Sequence, residues 1–406
     1  MLSVDSHLWL PFTQMQSFDA GRRMFVRGAG TMLTDARGHR VFDATSSIWT
    51  IVHGHAHPRI VDAIARQAAE LDHATTLGAT NPAAEELANR LCGITGMDYA
   101  FFGGDGASAI EAALKMALQY WQNVGQPQRK RFVRLVAAYH GDTTGAMSLS
   151  DIPVFKQRFA EVLFESLPYD RLRGRLGDDV AGIVVEPLVQ AAAGMRLVPL
   201  DVYANLRERD TLLIVDEIAT GFGRTGTMFA YQQLGLEPDL LCIGKGLSGG
   251  VLALSATLAR RPMYEAFLGE QSDAVHFFHG HSFAGNPIAC AAGLASLDCF
   301  EEERTLEGAG ALARHAAIGL ERFRSHPLVR EVRAAGLMIG IELRSEAIPA
   351  QSFASPAWRI AEGLYERGHF TRPIGDVVQL VPPLNSRPDE IDAFFDALAH
   401  ELERCA

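Results

Sequence analysis

The stretch Asp239-Leu-Leu-Cys-Ile-Gly-Lys245-Gly-Leu-Ser-Gly-Gly250 sets a single amine at the end of an apolar run. Leu240 to Ile243 has the length and the flanking glycine of a buried strand rather than of a helix. The chain holds only four lysines against 33 arginines, so each can be judged by its surroundings. Lys130 lies in Arg-Lys-Arg and Lys156 in Phe-Lys-Gln-Arg, both solvated settings. Lys115 falls on a helical pattern from Glu111 to Trp121 and reads as a surface or rim charge. Lys245 alone ends a buried strand. There, desolvation would lower an amine pKa from its reference of about 10.4 and make the nitrogen nucleophilic. A lysine snorkelling from a strand end would look the same in this segment, so the neighbours decide.

Outward from this strand, apolar runs and helical patterns alternate. Strands are expected over 99–102, 131–137, 182–186, 212–216 and 252–258. Helices are expected over 58–71, 82–91 and 107–121. Such alternation predicts an α/β domain on a mostly parallel sheet. Residues 7–50 read as an irregular N-terminal segment with a hairpin over 30–38. Beyond Asn286 a long helix leads to a smaller unit, with helices over 308–323, 357–367 and 388–401 and strands over 338–343 and 377–381. The expected division is 1–50, an N-terminal segment packing with the small domain; 51–295, the large domain; and 296–406, the small C-terminal domain.

Composition narrows the function. With 406 residues, 48% of them hydrophobic, the chain can bury a large core. A net charge of −11 argues against a nucleic-acid or anionic-membrane partner. No apolar run reaches the ~18–20 residues of a membrane span, and the first residues lack the basic start and apolar block of a secretion signal. Five scattered cysteines read as thiols in a reducing compartment, which makes the cytoplasm the expected location.

In an open parallel sheet, ligands gather at the carboxyl ends of the strands. The polar residues expected there are Gly103-Gly104-Asp105-Gly106-Ala107-Ser108, Tyr139-His140-Gly141-Asp142, Glu186, Asp216-Glu217 and Lys245. A glycine loop opening a helix offers N–H groups and a dipole to an anion, most naturally a phosphate. Asp216 follows five buried-strand residues, where an ionised carboxylate needs a cationic partner such as a protonated ring nitrogen or an arginine. Gly221-Phe-Gly223-Arg-Thr-Gly226 satisfies the dinucleotide pattern to the letter. Its first glycine is not at a strand-to-helix turn, however, and Met228-Phe-Ala-Tyr-Gln reads as continuing loop. The glycines read instead as a tight loop exposing Arg224. A phosphate cradle, a carboxylate for a ring nitrogen, the aromatic Tyr139 and a strand-end lysine together describe pyridoxal 5′-phosphate.

Asp216-Glu-Ile-Ala-Thr-Gly-Phe-Gly-Arg-Thr-Gly226, with Lys245 following, resembles the class III aminotransferases. The likeness runs from His53-Gly-His-Ala-His-Pro58 to Pro382-Pro383. It includes His7-Leu-Trp-Leu-Pro-Phe-Thr-Gln-Met15, Tyr139-His-Gly-Asp-Thr143, His279-Gly-His-Ser-Phe-Ala-Gly-Asn-Pro287 and Arg372-Pro-Ile-Gly375. The resemblance implies the type I fold of pyridoxal-phosphate enzymes and a homodimer moving an amino group from a donor to a keto acid. It implies that Lys245 forms the Schiff base and shuttles the proton, that Asp216 pairs with the pyridine nitrogen and that Tyr139 lies against the ring. Gly106, Ala107 and Ser108 would bind the phosphate, completed by Ser282 from the partner subunit. His140, Glu186 and Ala219 would complete the cofactor surroundings. Trp49, Phe12, Gly280 and Arg224 would shape the substrate pocket, and Arg372 would hold a carboxylate.

The chain departs from the family at Phe12, where tyrosine is usual, at Ile48-Trp49, where two tryptophans are usual, and in the phosphate loop. Loss of a hydroxyl in a polar pocket changes specificity more readily than cofactor chemistry. Glu186 is expected to pair with an arginine. His53, His55, His57, His279 and His281 have no carboxylate at ligand spacing in the sequence, so structural or rim roles are expected and no metal.

Overall fold

Seven strands build the main sheet: Tyr99–Gly103 (β1), Arg131–Arg134 (β2), Ser166–Pro168 (β3), Val180–Val185 (β4), Leu212–Asp216 (β5), Leu240–Ile243 (β6) and Ser255–Ala259 (β7). The computed structural model describes residues 7–18, 23–169, 176–204, 206, 210–347 and 355–405, so the reading of the first six residues lies outside it. The sheet order is β3-β2-β4-β5-β6-β7-β1. All neighbours from β3 to β6 are parallel, and β7 alone runs antiparallel to both its neighbours. β1 therefore points the same way as β6, and the carboxyl ends of β1, β2, β4, β5 and β6 share one edge.

β4, β5 and β6 are buried at every position because both faces are covered. Leu213, Val215, Leu241 and Ile243 enter one core with Leu87 and Leu297. Leu212, Ile214, Leu240 and Cys242 enter the other with Ile110 and Ala113. The helix Gly106–Asn123 lies on this second face, its close approach allowed by a run of buried alanines. The Trp121 indole N–H anchors it on the carbonyl of Ala181 at 2.7 Å.

A second, antiparallel sheet joins Val329–Ala335, Met338–Leu343 and Val377–Leu380. The N-terminal strands Phe25–Ala29, Met32–Asp35 and Arg40–Asp43 pair in sequence, and Arg40–Asp43 also pairs in parallel with His369–Phe370. The expected hairpin over 30–38 is thus two turns, since Gly30 (φ 55°) and Gly38 (φ 83°) each close a separate strand pair. The expected loop at Met228 gives way to a helix, Ala230–Leu234, whose first turn is held by the Glu217 carboxylate accepting from Tyr231 N. β3, Val329–Ala335 and His369–Phe370 were not expected.

Candidate active site

The shared edge encloses a cavity of about 500 Å³. Lys245 enters it from a tight turn with φ 44°. Next to it, Gly246 has no room for a side chain: a Cβ would lie 2.9 Å from that of Phe222. The lysine Nζ lies 5.2 Å from the Trp49 ring centroid. Burial holds this amine below the usual lysine range, with Arg224 adding to the push and the charges of Asp216 and Glu186 opposing it. A larger neutral, nucleophilic fraction follows than for a solvated lysine.

Asp216, at the end of β5, is buried and held from two sides. One oxygen accepts from Ile218 N at 3.0 Å and the other from His140 Nδ1 at 2.7 Å. Burial alone would lower the His140 pKa, but the bond to Asp216 and the charges of Asp216 and Glu186 outweigh it and raise it. His140 Nε2 is buried without a hydrogen-bond partner among the described residues.

Glu186 lies just past the end of β4, with its Oε2 accepting from Tyr139 N at 3.1 Å and Gln190 Nε2 at 3.4 Å. Burial lifts its carboxyl to about 7. The expected arginine pair is corrected: no arginine reaches Glu186 among the described residues, because its neighbours are engaged elsewhere. Arg134 meets Asp151 at 2.7 Å, and Arg196 meets Gln190 Oε1 and the carbonyl of Val136. Tyr139 is half-buried and donates its hydroxyl to Asp142 at 2.7 Å. Glu111, on the helix Gly106–Asn123, accepts from Thr143 and from Gly145 N and so fixes this loop against the helix start.

That helix begins with Asp105, whose side chain accepts from Ser108 N at 2.8 Å and from the Ser108 hydroxyl at 3.0 Å. The first N–H groups of a helix have no partner inside it, and Gly106 and Ala107, at this helix start, line the cavity. A side chain at Gly106 would press within 2.7 Å of Ile218, so only glycine allows the helix to start this close to β5. The set fits the cofactor expected from the sequence: free N–H groups for a phosphate, a buried carboxylate for a ring nitrogen, and a desolvated amine for an aldehyde.

Trp49, Tyr139, His140, Glu186, Asp216, Ala219 and Lys245 converge on the cavity with Gly106 and Ala107. Ser108 turns instead towards His281 and Phe283 in a neighbouring hollow. Gly280 lines a third hollow beside Leu77, and Ser282 is exposed. Phe12 is exposed and reaches Tyr139 only through Phe155, at ring distances of 5.3 and 5.7 Å. Arg372 is half-buried, stands 6.0 Å from the Trp358 ring and makes no side-chain hydrogen bond or ion pair among the described residues; burial lowers its pKa. The exposed Arg224 expected from its loop is also corrected. It is 1% exposed, donating to the carbonyls of Pro382 at 2.6 Å and Ile51 at 2.8 Å, because Gly223 lets the loop press against Leu384.

Sequence reasoning missed the apolar wall of Val189, Ala191 and Ala192, although small residues following Glu186-Pro187 hinted at it. It also missed Gln379, a lone amide in an apolar strand. The fold does bring carboxylates to two histidines: His55 meets Asp43 at 2.9 Å and His57 meets Glu303 at 3.0 Å. Cys299 Sγ lies 3.7 Å from His57 Nδ1, and imidazole, thiol and carboxylate stand within 4.8 Å of one another, a closeness the sequence spacing did not predict.

The model of the family described as aminotransferase class-III matches residues 16–402. The chain is 39% identical to the adenosylmethionine-8-amino-7-oxononanoate aminotransferase of Aquifex aeolicus, over 98% of this chain and 96% of that one. The crystal structure of the enzyme of the same name from Methanocaldococcus jannaschii superposes with a TM-score of 0.92, at 35% identity, covering 98% and 97% of the two chains. An amine transaminase from an uncultivated Pseudomonas species, solved in its PLP-bound form, matches with a TM-score of 0.91 at 32% identity, covering 99% and 100%.

Proposed function

The chain belongs to the class-III aminotransferases, enzymes dependent on pyridoxal phosphate, and from that premise we propose that it transfers the amino group of S-adenosylmethionine to 8-amino-7-oxononanoate, giving 7,8-diaminononanoate for biotin synthesis. The observation that carries the reading is the desolvated amine of Lys245 facing the same cavity as the buried carboxylate of Asp216. Similarity to the Aquifex enzyme over nearly the whole chain supports the choice of substrates.

When bound, the cofactor supplies an aldehyde that condenses with amines and a ring that accepts electron density. The Gly106 and Ala107 N–H groups would hold its phosphate, completed by the partner subunit's Ser282. Asp216, held in place by His140 Nδ1 at 2.7 Å, would face the ring nitrogen. Tyr139 would face the ring, with Glu186 and Ala219 completing its surroundings. Lys245 Nζ, its basicity lowered by burial, would be the base that takes the proton from the amine-bearing carbon and returns it. Arg372 would meet a substrate carboxylate, with Trp49 bounding the pocket. On this reading the working unit is a cytoplasmic homodimer, divided near residues 50 and 295.

A second reading keeps the cofactor and replaces the substrates by another ω-amino acid, a diamine or a ketone. The phenyl ring of Phe12, brought to Tyr139 through Phe155 where the family has a hydroxyl, favours it. Borohydride reduction and peptide mapping of the holoenzyme should place the cofactor on Lys245; attachment elsewhere overturns the assignment. Half-reaction spectra with S-adenosylmethionine, lysine and diamines then separate the two readings, since bleaching by diamines alone would favour the second.

A further inference from the structure

Gln379 is the one amide in the apolar strand Val377–Leu380 and is 1% exposed. Its two ends do different work. Oε1 accepts the indole N–H of Trp49 at 2.7 Å, and Nε2 donates to the backbone carbonyl of Arg372. Turning the amide over would set N–H against N–H and oxygen against oxygen, so a single orientation serves both partners. The Thr371 hydroxyl donates to the carbonyl of Gln379 at 2.7 Å and ties the same two stretches a second time. Trp49 walls the cavity above Lys245, while Arg372 carries a guanidinium without a partner among the described residues. One buried side chain therefore ties the wall to the backbone from which the Arg372 guanidinium extends.

We infer that Gln379 is a positioning residue for substrate length: it sets how far the Arg372 guanidinium stands from Lys245. That distance decides which length of acid brings its reacting carbon to Lys245 when its carboxylate lies on Arg372. The inference rests on Arg372 being the carboxylate anchor, as proposed above. Gln379 meets Trp49 and the Arg372 backbone rather than the reacting groups, so its effect falls on binding.

The test uses the holoenzyme with a homologous series of ω-amino acids as donors, and calorimetric binding of octanoate, which has no amine to transfer. In Gln379→Met, KM at the preferred length should rise about tenfold with kcat changing by no more than about threefold. The preferred length should shift, and octanoate should bind about tenfold more weakly. Trp49→Phe cuts the same tie from its other end, so the double variant should be no worse than the worse single one. An unshifted length profile with unchanged octanoate binding in Gln379→Met overturns the inference, and so do losses that multiply in the double variant. Should Gln379→Met fail to fold, the same two measurements on Trp49→Phe decide. Arg372→Ala separates the layers. If it leaves octanoate binding unchanged, the anchor and the inference both fall; if it weakens binding while Gln379→Met does not, only the inference falls.

Discussion

Glu186 shows what one enclosed carboxyl does to the site and to the fold. Burial holds its pKa near 7, above an ordinary value of 4.5. Between those two values the folded chain keeps a proton that the unfolded chain has released. Stability therefore falls as pH rises through that window and is level above it. Glu186→Gln cannot ionise, so relative to the parent it should be more stable at pH 8 than at pH 5.5. Urea midpoints of both proteins at the two pH values check this, and a difference that ignores pH contradicts it. Some slope should persist in the variant, because burial also lifts Glu217 to about 7. Neither value was readable in the sequence. The strand preceding Glu186 announced burial, but the absence of an arginine depended on where Arg134 and Arg196 found their partners.

Among the elements, the turn Ser46-Ser-Ile-Trp49 is the most strained. All four residues have positive φ, from 48° to 66°, and none is glycine. Each costs roughly 1–2 kcal/mol in this region. Asp43 holds the turn, accepting from Thr45 N, the hydroxyls of Thr45 and Ser47, and His55. The Ser46 hydroxyl adds a bond to the carbonyl of Val381. Strain kept up by so many bonds presents Trp49 to the cavity. Ile48→Gly should relieve one position and stabilise the protein by about 1 kcal/mol, visible as a raised urea midpoint; a lowered midpoint would mean that the Ile48 side chain matters more than its backbone. The sequence gives no sign of this turn, since Ser-Ser-Ile-Trp lacks the glycine or asparagine that marks left-handed backbone. β4 to β6 were legible for the opposite reason: a strand covered on both faces must be apolar throughout, whatever surrounds it.

At the scale of the whole molecule, Arg224 ties regions distant in sequence. Its guanidinium holds the carbonyls of Ile51 and Pro382, and its own carbonyl accepts from Leu337 N. Burial pushes its pKa down to about 9. Arg224→Met would leave two enclosed carbonyls unpaired and should cost about 2 kcal/mol or more, measured by urea denaturation. A variant of undiminished stability would show that water replaces both bonds. The glycine motif around Arg224 was plain in the sequence, yet its spacing carries no information on whether the loop folds outward or under the C-terminal strands. Short pieces such as β3 and His369–Phe370 were hidden similarly, being strands only by virtue of their pairing partners.

The reversed strand β7 has a consequence for how the chain is made. β1 touches the sheet only through β7, so the residues between Gly103 and Ser255 must leave the ribosome before β1 has a place to dock. The helix Gly106–Asn123 packs directly on β4, β5 and β6, so on a nascent chain that ends before β7 it can already meet the sheet while β1, just ahead of it, still lacks its pairing strand. Such a fragment would hold Lys245 beside a helix start that is tethered to an undocked strand.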